Sequence, residues 1–135
     1  MTLQILASTV KNHVTCEESG GEYYVFEITL PPGEGIPPHI HTLENEVICV
    51  LEGELDLVFD GERHSIGVGA VKHFPIGIMH GFFNVSDKQA RALVYVSPGT
   101  SFEKFFLGLD ALSREPEVNM EAIAKHASDF GMTFV

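Results

Sequence analysis

Apolar and polar positions alternate with a period of two over most of the first hundred residues, the signature of strands with one buried face. The clearest run is Glu22 to Leu30, where Tyr24, Phe26, Ile28 and Leu30 share one face and Tyr23, Val25, Glu27 and Thr29 the other. Pro31-Pro32-Gly33 ends it, because proline donates nothing to a ladder and glycine relaxes the turn. Further strands are predicted over 46–51, 55–59, 62–66, 71–74, 80–85 and 89–96, separated by Gly, Pro and Asp turns. Asp60-Gly61 stands between two alternating runs and predicts a tight hairpin, whose central residues both take positive φ. The stretch 3–18 is weaker, with β-branched Ile5, Thr9, Val10, Val14 and Thr15, and predicts one or two short edge strands. Short strands with no helices between them predict an all-β antiparallel barrel or sandwich.

The period changes after Ser97-Pro98-Gly99. Thr100 and Glu103 have capping-box spacing ahead of a helix carrying Phe102, Phe105, Phe106 and Leu109. Asn119 is the expected cap of a second helix, with Met120, Ile123, Ala124, Ala127 and Phe130 on one face and Gly131 as its stop. The expected organisation is one domain over 1–135, with a barrel over about 1–98 and helices over about 100–131 across its outside or one mouth. A Phe and Met stripe at helical spacing is core, so this region is expected to take no part in a site.

Nineteen acidic residues against eight basic ones leave a net charge of -11, without a Lys or Arg cluster, which argues against nucleic acid and anionic membrane as partners. No apolar run approaches a membrane span and residues 1–8 lack the character of a signal peptide, so a cytoplasmic location is the expectation. Cys16 and Cys49 form no CxxC pair and are expected to be reduced fillers of space. His13 and His126 are expected to be solvated.

Candidate chemistry lies in the histidines. His39 and His41 are one residue apart, so on extended backbone both leave the same face, and Pro37-Pro38 before them favours that backbone. Glu46 opens the next strand and His80 starts a later one, so three imidazoles and a carboxylate can converge. Such a set leaves positions open on a six-coordinate divalent ion, and with neutral imidazoles its inner shell carries a net charge of about +1. That centre would stabilise an anionic ligand or enolate.

The spacing G-X5-H-X-H-X4-E-X6-G runs from Gly33 through His39, His41 and Glu46 to Gly53, and G-X5-P-X-G-X2-H-X3-N from Gly69 through Pro75, Gly77 and His80 to Asn84. Together they resemble the two motifs of the cupin superfamily, complete and in order. The resemblance implies an antiparallel double-stranded β-helix, or jelly-roll barrel, with a short C-terminal helical segment. It also implies a homodimer, and His39, His41, Glu46 and His80 as ligands of one divalent transition metal ion, Fe, Mn, Ni, Co, Cu or Zn. Glu44 competes for the carboxylate role, but it sits too close to His41 and too far from Gly53 for the motif.

Strand alternation places Phe26, Ile28, Ile48 and Phe82 towards the metal as substrate contacts, with Leu57 and Phe59 completing a largely apolar pocket. On the 71–74 strand, either Lys72 or His73 faces inward; Lys72 would be the one charged group beside the site. Charged sugar phosphates suit these walls less than a planar or apolar molecule that chelates through oxygen. The run after Ser97 is similar to quercetin 2,3-dioxygenase-like cupins, which implies a dioxygenase-type oxidoreductase with Glu46 as both ligand and base. A non-catalytic metal and small-molecule binder, or a metal-assisted isomerase or lyase, are the alternatives.

Overall fold

The computed structural model describes residues 2–99 and 101–135; the predicted capping role of Thr100 lies outside the described residues. Among the described residues ten strands precede the helices: β1 (Thr2–Ile5), β2 (Ser8–Val14), β3 (Tyr24–Leu30), β4 (Gly35–His41), β5 (Asn45–Glu52), β6 (Glu54–Phe59), β7 (Glu62–Gly67), β8 (Val71–Phe74), β9 (His80–Phe83) and β10 (Ala90–Ser97). Helices α1 (Phe102–Ser113) and α2 (Met120–Asp129) follow, and then β11 (Met132–Phe134). The strands form two antiparallel sheets, β1-β2-β3-β10-β5-β8 and β11-β4-β9-β6-β7, in the double-stranded β-helix arrangement that the alternation and motifs predicted.

The alternating faces meet between the sheets. Tyr24, Phe26, Ile28 and Leu30 of β3 are all buried against Ile48 and Val50 of β5 and Leu55 and Leu57 of β6. The predicted hairpin is present: Phe59 pairs with Glu62 across a two-residue turn, with φ of 48° at Asp60 and 83° at Gly61. That left-handed pair matches the right-handed twist of the flanking strands. No helix among the described residues is long and apolar enough to cross a membrane.

The C-terminal region departs from expectation in two ways. Asn119 does cap α2, its Oδ1 accepting from Ala122 N at 3.1 Å, but Met120 and Ala124 are exposed. The buried face of α2 runs instead through Ile123 and Ala127 with His126 beside them. His126, expected in solvent, is half-buried, stacks on Phe105 at 5.4 Å and donates from Nε2 to Phe105 O at 2.9 Å. The second departure is β11, which the sequence reading did not predict. After Gly131 the chain reverses and pairs Met132 with His41 and Phe134 with His39, adding a strand beside β4. Three residues are too few for an alternation to register; the pairing partner, not local propensity, makes this a strand.

Candidate metal centre

Residues from three strands converge inside the barrel. Pro37 and Pro38 cannot donate to the β4–β9 ladder, and the register there slips by one residue between Ile36 and His39. Beyond this bulge His39 pairs with His80 of β9, and His39 and His41 both point inward, buried. Gly81 lets the two strands approach: a Cβ there would lie 2.9 Å from Ile36 O and Pro38 N. Glu46 comes from β5 of the opposite sheet, so the cluster bridges the two sheets. Phe74 of β8 pairs with Glu46 and stacks face to face on the His80 ring at 4.2 Å, fixing its plane.

One ligand atom from each of His39, His41, Glu46 and His80 lies within 4.8 Å of all the others, and all four residues are buried. The outer ring nitrogens are already engaged. His39 Nδ1 donates to Pro37 O at 2.7 Å, His80 Nδ1 lies 3.3 Å from Ile78 O, and His41 Nδ1 lies 3.3 Å from Glu44 Oε1. With protons on those nitrogens, each Nε2 turns a lone pair to the centre. Yet His39 Nε2 and His41 Nε2 are 3.0 Å apart, and His80 Nε2 and Glu46 Oε2 2.7 Å apart. Facing lone pairs at such range need either a shared proton or a cation between them. Adjacent ligands of an octahedral ion with bonds of about 2.1 Å stand about 3.0 Å apart, so the donor set fits a divalent transition metal.

Electrostatics prepare the same arrangement. Burial, with the His41 and His80 rings adding to it, pushes the His39 imidazole down to about 3, which keeps it neutral and able to ligate at physiological pH. For Glu46 burial pushes upward, but the bond to His80 and the nearby rings win and hold the carboxyl at about 2, so it is ionised.

Above the cluster lies a cavity of about 40 Å³ whose polar lining is His39, His41 and Glu46. Phe26, Ile28 and Phe82 line it, the residues that strand alternation pointed to. Ile48 and Lys72, the other two expected contacts, do not. Ile48 is fully buried in the core two residues from Glu46, and Lys72, its cross-strand partner on β8, sets Nζ 5.0 Å over the Phe59 ring instead. His73 pairs with Val47 on the outer face and is exposed. Among the described residues the cavity has no cationic wall.

The region given no part in the site supplies much of it. Phe102 brings its ring centroid to 5.3 Å from His41, Phe105, Phe106 and Leu109 of α1 line the cavity, and Phe134 of β11 packs edge-on 6.1 Å from His39. A signal existed in the i, i+3, i+4 spacing of the three phenylalanines, but a cavity lid and a core stripe have the same spacing. Glu44, whose spacing does not fit the motif's carboxylate position, is buried behind His41.

A double-stranded β-helix holding three histidines and a glutamate between its sheets is a cupin arrangement. The chain belongs to the cupin domain family, whose profile matches residues 26–96. It is 37% identical over 67 residues to the polyketide synthase CurC of Streptomyces cyaneus, covering 50% of this chain and 44% of that protein. It is 33% identical over 78 residues to the quercetin 2,3-dioxygenase of Bacillus subtilis, covering 56% of this chain and 23% of that one. The chain spans less than half the length of the curated relatives it matches. Among solved structures, the polyketide cyclase RemF of Streptomyces resistomycificus aligns with a TM-score of 0.60 at 29% identity, over 67% of this chain and 65% of that one.

Proposed function

We propose that this cupin is a metal-dependent dioxygenase-type oxidoreductase acting on a small, planar, enolisable aromatic molecule that presents neighbouring oxygens. The observation that carries the reading is the cavity: phenylalanines on its walls, and polar atoms only at the His39, His41 and Glu46 end. An apolar ring system is desolvated against those walls while its oxygens reach the centre. Absence of a cationic wall disfavours phosphorylated sugars.

A divalent ion held by His39, His41, Glu46 and His80 would supply positive charge that acidifies a bound hydroxyl and leaves positions open for small molecules. Glu46, ionised and lining the cavity, takes the hydroxyl proton. A carboxylate held near 2 accepts a proton only from a strongly acidified hydroxyl, so its role depends on that positive charge. Burial keeps His39 neutral, hydrogen bonds at Nδ1 orient the His39 and His41 rings, and the phenylalanines of α1 line the cavity with apolar surface.

A cavity with room for about three waters admits a ring only when lining side chains move, and we assign that movement to the α1 phenylalanines. A second reading is favoured by the likeness to CurC and RemF: ring closure of a polyketide of similar shape, without oxygen uptake. The test loads chelator-stripped protein with Fe, Mn, Ni, Co or Cu and supplies flavonols, catechols and β-diketones while recording dissolved oxygen and product mass. Oxygen consumption with a product gaining two oxygen atoms supports the dioxygenase. Substrate loss without oxygen uptake points to cyclisation or isomerisation, and saturable binding with no turnover under any metal leaves a binding protein.

A further inference from the structure

The three inward histidines differ in what holds their outer nitrogen. His39 and His80 meet backbone carbonyls of Pro37 and Ile78, whereas His41 meets a carboxylate, Glu44 Oε1 at 3.3 Å. Glu44 sits in the bend between β4 and β5, where its residue surface is only 4% exposed. Burying a carboxylate is costly unless something compensates it. Its hydrogen-bond partner among the described residues is the ring of His41.

We infer that Glu44 is a positioning residue of the metal centre: it holds His41 in the Nδ1–H tautomer, aims Nε2 at the ion, and places a second negative charge behind that ligand. The inference rests on the reading of the cluster as a divalent metal site. A carboxylate acceptor makes the opposite ring nitrogen a stronger donor than an amide carbonyl does. With Glu46 it brings the net charge of ion and carboxylates from about +1 to about zero, which favours retention of the cation in the buried site. His41 alone of the three ligand histidines has a carboxylate behind its ring. A Glu44 that merely filled the bend would be replaceable by glutamine, which has the same shape and still offers an oxygen acceptor to Nδ1–H.

The experiment compares wild type with Glu44→Gln and Glu44→Asp after chelator treatment, measuring Zn²⁺ affinity by chelator competition and the visible absorption of Co²⁺-loaded protein. Glu44→Gln should bind Zn²⁺ about 10- to 100-fold more weakly and shift the Co²⁺ bands, with metal-free melting unchanged or raised. Glu44→Asp, charged but shorter, should recover part of the affinity. In Zn²⁺-loaded wild type, which needs no variant to fold, the His41 Nδ1–H proton should be the furthest downfield of the three ligand histidines. Equal affinity and an unshifted Co²⁺ spectrum in Glu44→Gln would overturn the inference and leave the metal site standing, as would a His41 Nδ1–H signal no further downfield than those of His39 and His80. Wild-type protein that takes up neither Zn²⁺ nor Co²⁺ would overturn the metal site itself and the inference with it.

Discussion

At the scale of single residues, the cluster stores electrostatic work that a proton can release. His39 stays neutral down to about pH 3 in the folded metal-free protein, while in the unfolded chain it takes up a proton near its ordinary 6.5. Between those values the unfolded state binds the extra proton, so stability falls as pH falls, by up to about 1.4 kcal/mol per pH unit. Glu46, held at about 2 against an ordinary 4.5, acts in the same direction over its lower window. Melting of chelator-treated protein should therefore be level above pH 6.5 and decline below it, with a shallower decline in His39→Gln. A level melting temperature from pH 7 to pH 5 in wild type would contradict the burial argument. Removing one nitrogen, as in His80→Ala, should cost at least about 100-fold in metal affinity, more than loss of a residue behind a ligand. Isothermal titration with Zn²⁺ checks it.

Elements matter at two places. The β4–β9 contact that brings His39 to His80 depends on a backbone approach that glycine at position 81 permits, because any Cβ there meets Ile36 O and Pro38 N. Gly81→Ala should cost about 1–3 kcal/mol by forcing the strands apart, and metal affinity should fall with it. Urea unfolding with and without Zn²⁺ separates the two effects; an alanine variant with wild-type affinity would show that strand spacing does not set ligand spacing. The other element is α1, whose phenylalanines line the cavity. Phe105→Ala should destabilise by about 3–5 kcal/mol and open room beside the cluster. Quenching of a fluorescent flavonol on binding should show faster association for this variant; unchanged association would place the entrance elsewhere.

For the molecule as a whole, an ion held by donors from both sheets would couple metal binding to folding. Three donors belong to the five-stranded sheet and Glu46 to the six-stranded one, so separation of the sheets breaks the site. Free metal at about 100 times its dissociation constant should add about 2.7 kcal/mol of stability, a rise in melting temperature on the order of 10 °C. Calorimetry at several Zn²⁺ concentrations should show that rise growing with the logarithm of free metal.

Much of this was legible in the chain alone. Alternation placed the inner faces of β3, β5 and β6, Asp60-Gly61 marked its hairpin, and the two spaced motifs named His39, His41, Glu46 and His80. These are local properties: strand period, turn chemistry and residue spacing act over a few positions and leave their mark in sequence. What needed the tertiary structure was everything decided between distant segments. Lys72 alternates inward yet rests on Phe59, because neighbours and not phase determine which inward side chain reaches a cavity. Met132 and Phe134 become a strand and a cavity wall only because β4 has an open edge for them. Phe102 becomes a wall of the site, and Glu44 the anion behind His41, through contacts that neither periodicity nor motif encodes. The sequence by itself determined which atoms could hold a metal; the packing of α1 and β11 against the barrel decided what else lines the site, since burial is a property of the assembled chain.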